Sequence, residues 1–207
     1  MLRGLNGLSG LSVTRLHDTL LNGQGPDDAD TGSSGVWHWV EANHRCNTLL
    51  WNEEDKARRT DVAAAEIAAS KRAIDQYNQK RNDAVEALDE AILTAIGDVA
   101  LAPDARLSSE TAGAMIDRLS ILALKIFHMR EQTERTDVGI SHIDACRAKH
   151  QRLTMQRSDL AFCLDRLLSE AAQGQAYFKV YRQFKMYNDP ALNPYLYRQT
   201  QVAEAAQ

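Results

Sequence analysis

The stretch AMIDRLSILALKIFHM, residues 114–129, decides the fold. Wound at about 100° per residue, it is apolar almost all round. A helix of that kind has no broad solvent face and must be enclosed by other helices. Working outward, the chain supplies them. Between residues 32 and 187 the only proline is Pro103, the punctuation of a long-helix protein.

Residues 11–22 predict a short helix through Leu11, Leu16, Leu20 and Leu21. Residues 22–35, NGQGPDDADTGSSG, read as a flexible linker. A helix follows over about 36–59, with Ser33 or Ser34 as its cap and a break or kink at Thr60 and Asp61. Residues 62–97 carry one apolar stripe, Ile67, Ile74, Tyr77, Val85, Leu88, Ile92 and Ile96, and Gly97 closes it. The enclosed helix spans about 110–133, after Ser108 and Ser109. Residues 137–173 form a further helix with a seam at Ile143, Cys146, Leu153, Leu160, Leu164, Leu167 and Ala171. Gly174 allows a stop, a short helix is expected over 175–187, and NDPALNPYLY (188–197) is a turn-rich strap.

These elements predict an all-α protein: an antiparallel bundle of four long helices with a short N-terminal helix and a C-terminal helix plus strap. The first helix and the strap are expected on the outside or ends of the bundle. The organisation is a flexible segment with its short helix over 1–35, the bundle over 36–198 and a frayed tail over 199–207.

At 207 residues the chain can bury a sizeable core. With 44% hydrophobic and 25% charged residues it has the composition of an ordinary globular protein. With a net charge of −4 nothing points to bulk nucleic-acid binding, and no nucleic-acid partner is expected. No run approaches the ~20 apolar residues of a membrane span. The amino-terminal MLRGLNGLSGLSVTRLHDTLL is broken by glycines and Arg15, unlike a signal peptide. Three cysteines, Cys46, Cys146 and Cys163, all on faces that read as buried, indicate reduced thiols and a cytoplasmic home.

The helix over 36–59 carries three stripes. Trp39, Ala42, Cys46, Leu49, Leu50 and Ala57 are its apolar side, and Glu41, Arg45, Asn52, Lys56 and Arg59 its solvent side. Between them lie His44, Asn47, Trp51, Glu54, Asp55 and Arg58. Polar groups interleaved with tryptophan on a covered stripe need partners, because an unpaired buried charge is costly. The plain reading pairs them locally, as in Glu54 with Arg58. Other helices repeat the pattern, however. Lys71, Asn78 and Arg81 adjoin the stripe of the second long helix, Lys125 and His128 sit on the enclosed one, and Arg157 occupies the last seam.

The expectation is a partly buried polar site where these residues meet. Asp55 and His128 would handle protons. His44, Asn47, Trp51, Glu54, Arg58, Lys71, Asn78, Arg81, Lys125 and Arg157 would bind ligand, and Lys185, Tyr187, Asn188 and Asp189 would close the site from the strap. Glu41 and His44 have the Glu-x-x-His spacing of di-iron bundles, but no second copy exists, and His128 and Glu131 stand in the reverse order. No metal is expected, and no cofactor can be named. The partner is a small polar or anionic ligand, such as a sugar phosphate or nucleotide sugar. The alternative is a non-catalytic adaptor or self-assembling helical protein, a homo-oligomer through the seam of the last long helix.

Five runs carry a family resemblance: NTLLWNEEDKARR (47–59), SKRAIDQYNQKRND (70–83), DRLSILALKIFHM (117–129), QRSDLAFCLDRLL (156–168) and QFKMYNDPALNPYLY (183–197). Over roughly 36–198 the chain resembles the bacterial family labelled domain of unknown function 4254. The resemblance implies a helical bacterial protein of similar length and brings no assigned catalytic residues. It tilts the ligand toward sugars and phosphates, through an association of relatives with glycosyl transfer and envelope polysaccharide.

Overall fold

The structure, a computed structural model, describes residues 5, 7–23, 35–183, 186 and 189–197. Five helices carry the fold: α1 (Gly10–Leu21), α2 (Val36–Lys56), α3 (Ala64–Ile96), α4 (Ala112–Thr133) and α5 (Ile140–Ala172). Two short strands, β1 (Arg106–Leu107) and β2 (Ala176–Tyr177), form a parallel ladder that ties the α3–α4 connection to the chain after α5.

α4 is the enclosed helix that its sequence requires, and it packs against each of the other four. Ile116 and Leu119 have no exposed surface, and Leu122, Ala123 and Leu124 are buried beside them. Each such leucine or isoleucine contributes about 1.5–3 kcal/mol by leaving water. Its first turn is capped twice. The Thr111 hydroxyl accepts the Ala114 N–H at 3.1 Å, and the Asp89 carboxylate of α3 accepts the Gly113 N–H at 2.6 Å. The cap is Thr111 rather than the serines at 108 and 109.

α2 pairs with α3 and α4 with α5, consecutive helices running in opposite directions. α2 and α4 run side by side in the same direction. Asn43 meets Asp117, Asn47 meets Ser120, and Trp51 meets His128. The break or kink expected at Thr60 and Asp61 is a genuine new start, since 57–63 separates α2 from α3. Gly97 ends α3 at φ 73°, as its position predicts.

Two local expectations need correction. The helix expected over 175–187 is absent from the described residues up to 183. There β2 and an irregular stretch take its place. Gly174, at φ 70°, lies so close to the Ala100 carbonyl that a side chain would collide with it, and this turn redirects the chain into the ladder. α1 packs on the bundle with Leu11, Arg15 and Thr19 exposed, and its inner face encloses Val13 and His17 fully. Cys163 is exposed rather than buried, while Cys46 and Cys146 are buried as expected. Ser33 and Ser34 lie outside the described residues, and Gly35 holds the N-cap position of α2 without a side-chain bond.

Candidate functional site

The polar residues of the helix faces divide between two places. The first is a buried network between α1, α2, α3 and α4. Asp117 accepts hydrogen bonds on one carboxylate oxygen from the amides of Asn43 at 2.8 Å and Asn47 at 2.9 Å. Asn47 also donates to the Ser120 hydroxyl at 3.0 Å, and Ser120 meets His44 Nδ1 at 2.8 Å. Arg81 of α3 reaches Asp117 only at 3.9 Å, too far for a hydrogen bond, so Arg81 Nε is buried beside the carboxylate as an unbonded charge neighbour.

His17 of α1 stacks on His44, with ring centroids 4.5 Å apart and planes 16° from parallel. Among the described residues neither nitrogen of His17 has a partner, nor does His44 Nε2. Burial pushes the His44 pKa down to about 4, against a smaller upward pull from Asp18. Burial likewise holds His17 well below its ordinary value, helped by His44 and Arg157. Burial thus favours the neutral form of both rings, and His17, Asn43, His44 and Ser120 are buried, while Asp117 and Arg81 keep part of their surface in solvent. The network orders α1, α2 and α4 against one another.

The second place is a cleft of about 680 Å³ where the C-terminal ends of α2 and α4 meet the first half of α5. Trp51 of α2 forms one wall and stacks on His128 of α4, centroids 4.6 Å apart and planes 12° from parallel. Met129 and Leu153 extend the apolar lining. Lys125 of α4 and Lys149 and Arg152 of α5 supply positive charge, opposed by Asp55. Among the described residues Lys125, Lys149, Arg152 and Asp55 make no ion pair. His128 Nδ1 lies 2.8 Å from the Glu131 carboxylate. A carboxylate there holds the ring with Nδ1–H donating and leaves Nε2 as the acceptor.

Of the residues singled out in the sequence, Trp51, Asp55, Lys125 and His128 share this cleft. His44, Asn47 and Arg81 belong to the buried network. Glu54, Arg58 and Lys71 form an exposed cluster, with Arg58 at 2.7 Å and Lys71 at 3.8 Å from the Glu54 carboxylate. Arg157 binds Asp18 at 2.6 Å and fastens α1 to α5. Asn78 is half-buried on α3, and Asp189 is exposed, its carboxylate accepting the Ala191 N–H at 2.8 Å. Lys185, Tyr187 and Asn188 lie outside the described residues. The residues of the stripes therefore lie in two places and a surface cluster rather than in one.

Sequence reasoning missed Lys149, Arg152 and Gln132 in the cleft, and Asn43, Ser120 and His17 in the network. Asn43 was within reach, because it precedes Asn47 by one helical turn. Lys149 and Arg152 flank the seam of α5 and look like ordinary surface charge until α2 is set opposite them. Among the described residues no three His, Cys, Asp or Glu side chains converge as a metal site.

The family model described as "Protein of unknown function (DUF4254)" matches residues 37–180. No curated protein and no solved structure matches the chain.

Proposed function

The chain belongs to the family of proteins of unknown function DUF4254, and we propose that it binds a small anionic ligand, of the sugar-phosphate or nucleotide-sugar kind, in the cleft between α2, α4 and α5. The observation that carries this reading is three basic side chains, Lys125, Lys149 and Arg152, gathered around the stacked Trp51–His128 pair. The cleft volume falls within the roughly 300–1,000 Å³ of small-molecule sites. The indole offers a flat face to a sugar or base. The guanidinium suits bidentate contact with a phosphate, and the ammonium groups act as point charges.

The proton chemistry belongs to His128 and Asp55. With Nδ1 committed to Glu131, Nε2 of His128 is a base at the cleft wall, and Asp55 is a second carboxylate across from it. Calorimetric titration with uridine diphosphate, glucose phosphate and inorganic phosphate tests the reading. At least one should bind, and the double charge reversal Lys149→Glu with Arg152→Glu should weaken it at least tenfold, about 1.4 kcal/mol. Both positions are exposed, so the fold should survive. Failure of all three to bind at millimolar concentration, or indifference to the reversal, would remove the proposal.

A second reading, an adaptor or self-assembling protein, draws on the outer face of α5. Met155 and Phe162, two turns apart, are 64% and 68% exposed. Light scattering separates the two readings, since a strict monomer across a wide concentration range tells against self-assembly.

A further inference from the structure

α5 turns its buried seam inward and a second stripe outward. Ala148, Met155, Phe162 and Ser169 recur every seven residues, and all are exposed. At about 100° per residue they fall on the side of α5 opposite Leu153, Leu160 and Leu164. A seven-residue repeat of this kind is the pattern of a helix that pairs with another helix.

The charges along α5 identify that other helix. Residues 140–157 carry Arg147, Lys149, Arg152 and Arg157 against Asp144 alone. Residues 158–172 carry Asp159, Asp165 and Glu170 against Arg166 alone. The first half is basic and the second acidic. A second α5 running the opposite way sets each half on its complement, and a parallel copy would set like on like.

The register follows from the residues in and beside the stripe. Two identical antiparallel helices are related by a twofold axis. With Met155 on that axis, residues equally far before and after it stand level, and residues on the same edge of the stripe meet. Ala148 and Phe162 are each seven residues from Met155, so a small side chain faces a large one. Asp144 and Arg166 are each eleven residues away and opposite in charge. Arg152 and Asp159 share one edge, and Arg147 and Asp165 the other. Each of these pairs is level to within two residues, about 3 Å. All six charged side chains are exposed. The contacts of Asp144 to Arg147 and of Arg166 to Glu170 within the helix are solvent-exposed pairs, which hold weakly.

We propose that α5 pairs antiparallel with the α5 of a second copy of this chain, with Met155 at the twofold axis. The pairing gives the self-assembly reading a geometry and rests on it. It is separate from the ligand cleft. Arg152 edges both, so the tests leave it in place.

Sedimentation equilibrium of the full chain should show a dimer. Asp144→Arg alone and Arg166→Asp alone each place like charges opposite, and each should weaken dimerisation roughly tenfold. The double variant should bring it back to within about threefold of the unaltered protein. The two positions are about 33 Å apart along one α5, so recovery reports contact between copies. In a Cys163→Ser background, Met155→Cys should form a disulfide-linked dimer on mild oxidation. Phe162→Cys should not, because its two copies stand about 21 Å apart along the pair. Every substituted position is exposed, so the fold is not at risk. A monomer at all concentrations up to millimolar would overturn this pairing together with the self-assembly reading. A dimer indifferent to both charge reversals, or one linked through Phe162→Cys and not Met155→Cys, would overturn the pairing and leave self-assembly through another surface.

Discussion

His17 is the least economical residue in the core. It is fully buried, neither ring nitrogen has a partner among the described residues, and of its neighbour His44 only Nδ1 is bonded, to Ser120. Removing an unsatisfied buried polar group relieves a desolvation penalty of about 1–3 kcal/mol. His17→Leu, close in volume, is expected to raise the melting temperature by a few degrees, on the order of 2–4 °C per kcal/mol at this chain length. A fall in stability on calorimetry would mean that the ring stack itself holds α1. The pH dependence follows from the same burial. His44, with its folded pKa near 4 against 6.5 unfolded, and His17, also lowered, contribute stability that is present above pH 6.5 and lost as pH falls through the folded values. Asp89 runs the other way. Burial raises its pKa to about 6 from 3.8, so its contribution is present below 3.8 and lost as pH rises through 6. Two groups against one leave a net rise in stability from pH 4 to 6.5. Asp89→Asn should steepen that rise in thermal melts, and His17→Leu should flatten it.

At the scale of the element, α1 is held by points rather than by length. Ser9 and Ser12 form a reciprocal capping box at its start. Asp165 of α5 accepts the Gly10 N–H at 2.7 Å, and Arg157 binds Asp18 near its far end. Gly10 lets the two helices touch. A Cβ there would sit 2.5 Å from the Ala161 carbonyl oxygen and 2.7 Å from the Ala161 Cβ. Backbone cannot yield as a flexible side chain can, so Gly10→Ala should push α1 off α5 at a cost of about 1–3 kcal/mol. Hydrogen exchange should then show α1 amides losing protection while the central amides of α4 keep theirs. Loss of protection throughout would mean that α1 is integral to the folding of the bundle. α5, about 50 Å long at 1.5 Å per residue, is the opposite case. It buries only the seam from Ile143 to Ala171 and leaves most other positions to solvent.

At the scale of the whole molecule, the arrangement of α2, α4 and α5 turns a chain of net charge −4 into one that gathers positive charge locally. Lys149 and Arg152 are exposed, so their attraction for an anion acts across solvent and is screened within a Debye length of about 8–10 Å at physiological salt. Ligand binding in the cleft should therefore weaken as sodium chloride is raised from low to half-molar concentration. A salt-independent titration with phosphate compounds would place their binding outside the cleft.

The helices themselves were written in the sequence. Apolar spacing located all five, because each buries a stripe whose period is local to its own chain segment. Gly97 and Gly174 marked their ends for equally local reasons. The identity of the polar stripe on α2 was legible too, since tryptophan beside asparagine and histidine is unusual on a solvent face. What became of that stripe was not. One edge of it closes on Asp117 and Ser120 inside the bundle, and the other opens on the cleft at Trp51 and Asp55, about four to five turns beyond Val36. Spacing along one helix says which residues share a side. It carries nothing about which helix is set against that side or where two helices diverge. The parallel placement of α2 on α4, the insertion of α1 and the extended turn after Gly174 are products of contacts between segments far apart in the chain. Those contacts alone decided which hydrophilic side chains are sealed in the core and which are left to meet a ligand.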